Sequence, residues 1–257
     1  MRWIRSVILV FSTYTRIPVP QVKWDEDTMK ISIAFLPLIG AVLGGAVWVW
    51  QFLCRFFQIS PVLFAVVAVV LPVFITGGIH MDGYCDTSDA LASWQQKERR
   101  LEILKDPHVG AFAIIRFSVY MFVNFGLLYE LYARGSDTGI FALYIFSRSL
   151  TVWNAMTMPN ARKDGMLAAF TGKVDQMTAA IILALLTLTG LTGFILFTFP
   201  RGIVGIALCL PVTIWYRTMA MKRFGGVTGD TTGYYLQITE LTLLAGLLLG
   251  GIISEWL

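Results

Sequence analysis

The chain has 257 residues, of which 56% are apolar and only 14% charged, with a mean hydropathy of +0.70. That balance excludes a soluble domain and marks an integral membrane protein. The net charge of +4 calls for no nucleic-acid partner, because basic loops on one side of a membrane account for it.

In chain order, Met1 to Val10 is a short apolar stretch carrying Arg2, Trp3 and Arg5, with no small-residue cleavage site after it. It reads as an interfacial helix, basic residues at the headgroups and tryptophan at the boundary. Apolar stretches of about 17 to 25 residues then give seven expected spans, near 31–53, 61–79, 111–133, 138–158, 178–199, 202–221 and 236–253. The fold class is therefore an all-α transmembrane bundle, read as a single transmembrane domain over 1–257. Cys54, Cys85 and Cys209 are too scattered for a disulfide framework or a zinc site.

Lys and Arg placement sets the expected orientation. Alternate connections carry Arg2, Arg5, Arg16, Lys23 and Lys30, then Lys97, Arg99, Arg100 and Lys105, then Arg162, Lys163 and Lys173, then Lys222 and Arg223. The opposite set carries only Arg55, Arg134 and Arg201. Fourteen against three places the N-terminus and the long connections inside, and the C-terminus outside.

The most informative of those connections is GGIHMDGYCDTSDAL, 77 to 91. On a helix, Asp82, Asp86 and Asp89 at i, i+4 and i+7 share one face over about 10 Å. Such a face repels itself unless it is solvated or holds a cation. Carboxylate oxygens suit Mg²⁺, which keeps waters and shares its site with substrate phosphates. Gly77, Gly78 and Gly83 point to close backbone approach beside it.

Three further polar blocks fall on the same expected side. In RLEILKDPHVGAF, 100 to 112, Pro107 ends a short charged helix and Gly110 opens the next span. In NARKDGMLAAF, 160 to 170, Arg162, Lys163 and Asp164 precede a glycine. GGVTGDTTGYY, 225 to 235, sets four glycines around Thr228 and Asp230, which reads either as a turn or as a nest of backbone N–H groups for phosphate. Within the spans, Arg148 lies deep, while Arg116 and Arg217 lie nearer one face and either grip phosphate or snorkel to the interface. Glu240 is a second buried ionisable group and a candidate partner for a buried arginine.

These blocks, with TYTRIPVP at 13 to 20, occur in the order found in the cobalamin synthase family, the adenosylcobinamide-GDP ribazoletransferases, which the chain resembles over nearly its whole length. The resemblance implies a multi-pass inner-membrane enzyme with a cytoplasmic active site. Such an enzyme joins adenosylcobinamide-GDP to α-ribazole or α-ribazole 5′-phosphate and releases GMP. It also implies a divalent metal, here Mg²⁺ on Asp82, Asp86 and Asp89, with His80 completing the catalytic motif. His80 is either a proton acceptor or a group orienting a ligand carboxylate, and Asp89 is the first choice for the base. Lys105, Asp106, Arg116, Arg148, Arg162, Lys163, Asp164, Thr228, Gly229 and Asp230 are the expected substrate contacts. Ala90, Gln237 and Cys85 depart from the family pattern without touching the aspartates. A homo-oligomer is left open. The alternatives are an ion-coupled transporter and a CDP-alcohol-type phosphotransferase, whose signature spacing this chain lacks.

Overall fold

The computed structural model describes residues 2–136, 138–172 and 174–256. Among them every regular element is helical, apart from one isolated parallel bridge between Asn160 and Val227. Helix α1 (Arg2–Tyr14) precedes α2 (Glu26–Ser32), which runs through a 3-10 turn, Ile33–Phe35, into α3 (Leu36–Phe56). Then come α4 (Pro61–Thr76), α5 (Ile79–Ala92), α6 (Lys97–Ile103), α7 (Ala111–Ala133) and α8 (Ile140–Thr157). The chain closes with α9 (Met166–Thr171), α10 (Gln176–Thr198), α11 (Gly202–Phe224) and α12 (Gly229–Trp256). Local signals set several boundaries. Asp25 caps α2 by accepting from Thr28 N at 2.8 Å. Ser60 and Pro61 start α4, and left-handed Gly77 stops it.

The expectation of seven uniform spans needs correction. Five helical segments are long and apolar enough to cross a membrane: Glu26–Phe56, Ala111–Ala133, Gln176–Thr198, Gly202–Phe224 and Gly229–Trp256. A sixth exists only if α4 and α5 count as one, and the chain bends by 95° between them. The bend falls at Gly77 and Gly78, with φ of 65° and 80°, a backbone conformation that side chains with a Cβ resist. The remaining expected span, 138–158, is the helix α8, but its polar residues put it below that test. Its physical setting explains this: Ser147, Arg148, Ser149, Thr151 and Asn154 are all buried, against neighbouring helices instead of lipid.

Small residues bring those neighbours close. Gly40 and Gly44 of α3 lie against the backbone of α8 at Tyr144 and Phe141, and Gly246 of α12 against Gly205 of α11. No Cβ fits at these crossings, which is how helices gain packing where lipid removes the hydrophobic drive.

The contacts also sort the chain into two ends. At one, Arg55 donates to Tyr132 O at 2.8 Å, Arg201 to Ser136 Oγ at 2.6 Å, and Arg134 pairs with Glu255 at 3.2 Å. The other end gathers Lys105 with Asp164, Arg162 with Asp230, and Asp89 with the start of α7. The polar blocks therefore meet at the end carrying the larger basic set. Lys173, counted in that set, lies outside the described residues.

Candidate active site

The acidic block folds as the expected helix, and α5 runs antiparallel to the first half of α7. Asp89 meets Gly110 and Ala113, Ser88 O accepts from Arg116 at 3.3 Å, and Tyr84 lies beside Tyr120. On its other side α5 packs on α12 through two glycines. A Cβ on Gly83 would sit 2.8 Å from the backbone of Asp230, and one on Gly233 3.0 Å from His80 O. The close approach inferred for Gly83 is thus real, and it brings Asp230 beside the acidic helix.

The three aspartates are not equivalent. Asp89 accepts from Gly110 N at 2.6 Å and from Ala113 N at 2.8 Å, so both its oxygens cap the N-terminus of α7. That commitment removes Asp89 as first choice for the base and makes it the joint between two helices. Asp89→Ala should cost about 1–2 kcal/mol of stability, read as a lowered melting temperature in detergent. An unchanged melting curve would show the cap to be dispensable.

Asp82 is exposed and Asp86 partly buried, and neither side chain has a hydrogen-bond or ion-pair partner among the described residues. Asp86 sits in the field of Asp82, Asp230 and Asp89. Among the described residues no three His, Cys, Asp or Glu side chains converge closely enough to hold a metal ion by themselves. The expected trio of metal ligands therefore does not close around one point. The donor set is nevertheless all hard oxygen, with two unpaired carboxylates in a self-repelling cluster. It fits an ion such as Mg²⁺, which takes one or two carboxylates and completes its shell with water and substrate phosphate.

Around this core stand the other blocks. Arg162 reaches Asp230 Oδ2 at 3.5 Å, and its Nε and Nη2 are buried without hydrogen bonds. Arg162, Asp164, Thr228, Gly229 and Asp230 line one cavity of about 170 Å³. The glycine-rich loop is held by Val227 N donating to Pro159 O at 2.9 Å and Ala161 N to Val227 O at 2.8 Å. Its helix start is already capped: Thr228 Oγ1 accepts from Thr231 N at 3.1 Å, and Asp230 supplies the negative charge in the first turn. A bare phosphate nest is thus replaced by a carboxylate. Lys105 pairs with Asp164 at 3.0 Å, which holds that carboxyl below the usual range. Asp106 accepts from His108 N at 3.0 Å and stabilises its loop, while Lys163 is exposed.

The deep arginine goes elsewhere. Arg148 Nη1 donates to Glu240 Oε1 at 2.7 Å and to Tyr144 O at 3.1 Å, with the Arg148 and Glu240 side chains only 2% and 8% exposed. Ser147 adds a 3.4 Å contact to the same carboxylate oxygen. The structure brings Arg148 to this pair and not to the aspartates. Gln237 accepts from Tyr120 beside it, and a cavity of about 20 Å³, room for one water, is lined by His80, Arg148, Gln237 and Glu240.

Two residues absent from the expected site belong to it. Tyr14 stacks on His80, ring centroids 5.8 Å apart. Arg16 packs over Gly77, and its backbone N donates to Ile75 O at 2.7 Å. Both lie in TYTRIPVP, whose polar run ahead of an apolar span was the available signal.

The fold and site define a polytopic membrane protein with an acidic, oxygen-donor site at one end of its bundle. Residues 6–248 match the family described as cobalamin-5-phosphate synthase, and the chain belongs to that family of cobalamin-biosynthesis enzymes. Similar proteins are each named adenosylcobinamide-GDP ribazoletransferase. One from Lachnoclostridium phytofermentans is 39% identical over 247 residues, 96% of this chain and 94% of that protein. One from Listeria monocytogenes serotype 4a is 33% identical over 250 residues, covering 95% and 98%. One from Clostridium botulinum strain Alaska E43 is 31% identical over 241 residues, covering 92% and 94%. No solved structure matches the chain. Membership of this enzyme family sets aside the transporter and the CDP-alcohol phosphotransferase.

Proposed function

We propose that this chain joins adenosylcobinamide-GDP to α-ribazole or its 5′-phosphate, with release of GMP, by in-line phosphoryl transfer at the cytoplasmic face of the cell membrane. A ribose hydroxyl of the acceptor attacks the phosphorus nearest the corrinoid arm as the bond to the GMP oxygen breaks. The observation that carries this reading is the meeting of unpaired Asp82 and Asp86 with Asp230 where the polar blocks converge. Asp82 and Asp86 would hold Mg²⁺. When bound, that ion neutralises charge on the pyrophosphate and its leaving group.

The protein's own groups do the rest. Asp230 Oδ2 is engaged by Arg162 and Thr228, and Asp230 lines a cavity together with Asp82. It is the group placed to take the hydroxyl proton. Arg162, whose Nη2 faces Asp230 and whose Nε has no hydrogen bond, lines the adjoining cavity with a guanidinium suited to phosphate oxygens. His80 is buried against Tyr14, away from proton exchange with solvent.

The cytoplasmic placement is tested by single cysteines in a cysteine-free protein. At Lys97, Lys163 and Lys222 they should resist an impermeant maleimide in intact cells, whereas one at Arg134 should react. Labelling of the first three from outside would overturn it. The metal dependence is tested by chelation: turnover should vanish with EDTA and return with Mg²⁺.

A further inference from the structure

Asp82 lines two neighbouring spaces, one open and one more closed and more apolar. One is an open groove of about 700 Å³, edged by Ser12, Thr15, Arg16 and Gly78. The other is a cavity of about 290 Å³, walled by Tyr14, Leu36, Val152, Ala155 and Leu167. Its polar points are Asp82 and Asp230, given above to the ion and to the acceptor hydroxyl, with His80 and two threonines. Thr151 Oγ1 already donates to Ser147 O at 3.0 Å, and Thr232 Oγ1 to Gly229 O at 2.7 Å. His80 stands between it and the 20 Å³ cavity, is 7% exposed, and its Nδ1 has no hydrogen-bond partner.

We infer that this cavity takes the two-ring aromatic base of the acceptor nucleoside, while the corrinoid and its pyrophosphate stay in the groove. The inference rests on the reaction proposed above. Size divides the substrates first: the cavity sits near the lower limit of small-molecule sites, about 300 Å³, so a corrin ring with its amide arms stays outside. Chemistry divides the remaining two candidates. Guanine carries donors and acceptors along most of its edge; with Asp82 and Asp230 committed to the ion and the acceptor hydroxyl, burying the rest against Leu36, Val152, Ala155 and threonines that already donate would leave groups unpaired at a cost of about 1–3 kcal/mol each. A benzimidazole-type base has apolar faces and one free ring nitrogen, which matches apolar walls, the flat ring of Tyr14 and the single unpartnered imidazole of His80. The groove suits the donor substrate for the converse reason. It is open, and the exposed Arg16 guanidinium has no acidic partner among the described residues. Asp82, with Ile79, then stands at a boundary between the two spaces, where the two substrates meet.

The test uses the full chain in detergent or liposomes, with Ala155→Leu to fill the cavity and benzimidazole as the probe. In the wild-type protein, benzimidazole should compete with α-ribazole and not with adenosylcobinamide-GDP. In Ala155→Leu, KM for α-ribazole should rise about tenfold or more, with KM for adenosylcobinamide-GDP and the melting temperature unchanged. Competition with the nucleotide donor, absence of inhibition, or a KM change confined to the donor would overturn the assignment. The wild-type comparison stands even where the variant fails to fold. The reaction and the cavity also fail separately. Absence of turnover by the wild type would refute the proposed reaction, whereas calorimetry of benzimidazole still reads the cavity: binding lost in Ala155→Leu supports it, and no binding to the wild type overturns it.

Discussion

Asp82→Asn and Asp86→Asn should each reduce turnover by about two to three orders of magnitude while the proteins remain folded and inserted. Neither side chain supports a helix cap or an ion pair among the described residues, so removing its charge should not lower the melting temperature. Asp86→Asn relieves repulsion from three neighbouring carboxylates, so that variant should melt at or above the wild-type temperature. The double variant separates a shared ion from two independent effects. If both carboxylates act on one cation, losing the second costs little once the first is gone. A double variant impaired by the product of the two single effects would contradict the shared site. Asp89→Ala should behave differently, losing stability with activity, because its carboxylate joins α5 to α7.

The second large effect is on stability. Breaking the buried pair by Arg148→Gln or Glu240→Gln leaves one charge without its partner and should cost about 3–5 kcal/mol. Combining the two removes both charges, so the double variant should be more stable than either single one. Affinity for adenosylcobinamide-GDP should stay near the wild-type value in every variant that folds. A selective loss of nucleotide affinity in Arg148→Lys, with melting temperature unchanged, would return Arg148 to the substrate.

Much of this was legible in the sequence because it depends on short-range order. The i, i+4, i+7 spacing of Asp82, Asp86 and Asp89 is a property of one helix, and the structure forms that helix. The convergence of the polar blocks at one end follows from alternation of spans, which the Lys and Arg asymmetry already marked. Where the reading erred, a distant partner decided the outcome. Asp89 looks like its neighbours until α7 presents its free N–H groups 21 residues later. Arg148 pairs with Glu240 across 92 residues; the sequence left that pair open beside phosphate binding, because no local pattern chooses between them. Gly77 has the close packing it suggested, with Arg16 over it, and with Gly78 it also makes the left-handed turn that breaks α4 from α5. The polarity of α8 counts against a span only by composition; its buried face lies against protein.

The most direct measurement of the central claim is GMP release by the purified protein in liposomes. Supplied with adenosylcobinamide-GDP, it should release GMP only when α-ribazole or its 5′-phosphate and Mg²⁺ are both present, one GMP for each corrinoid joined. GMP release without an acceptor, or none from a folded protein with all three components, would contradict the account.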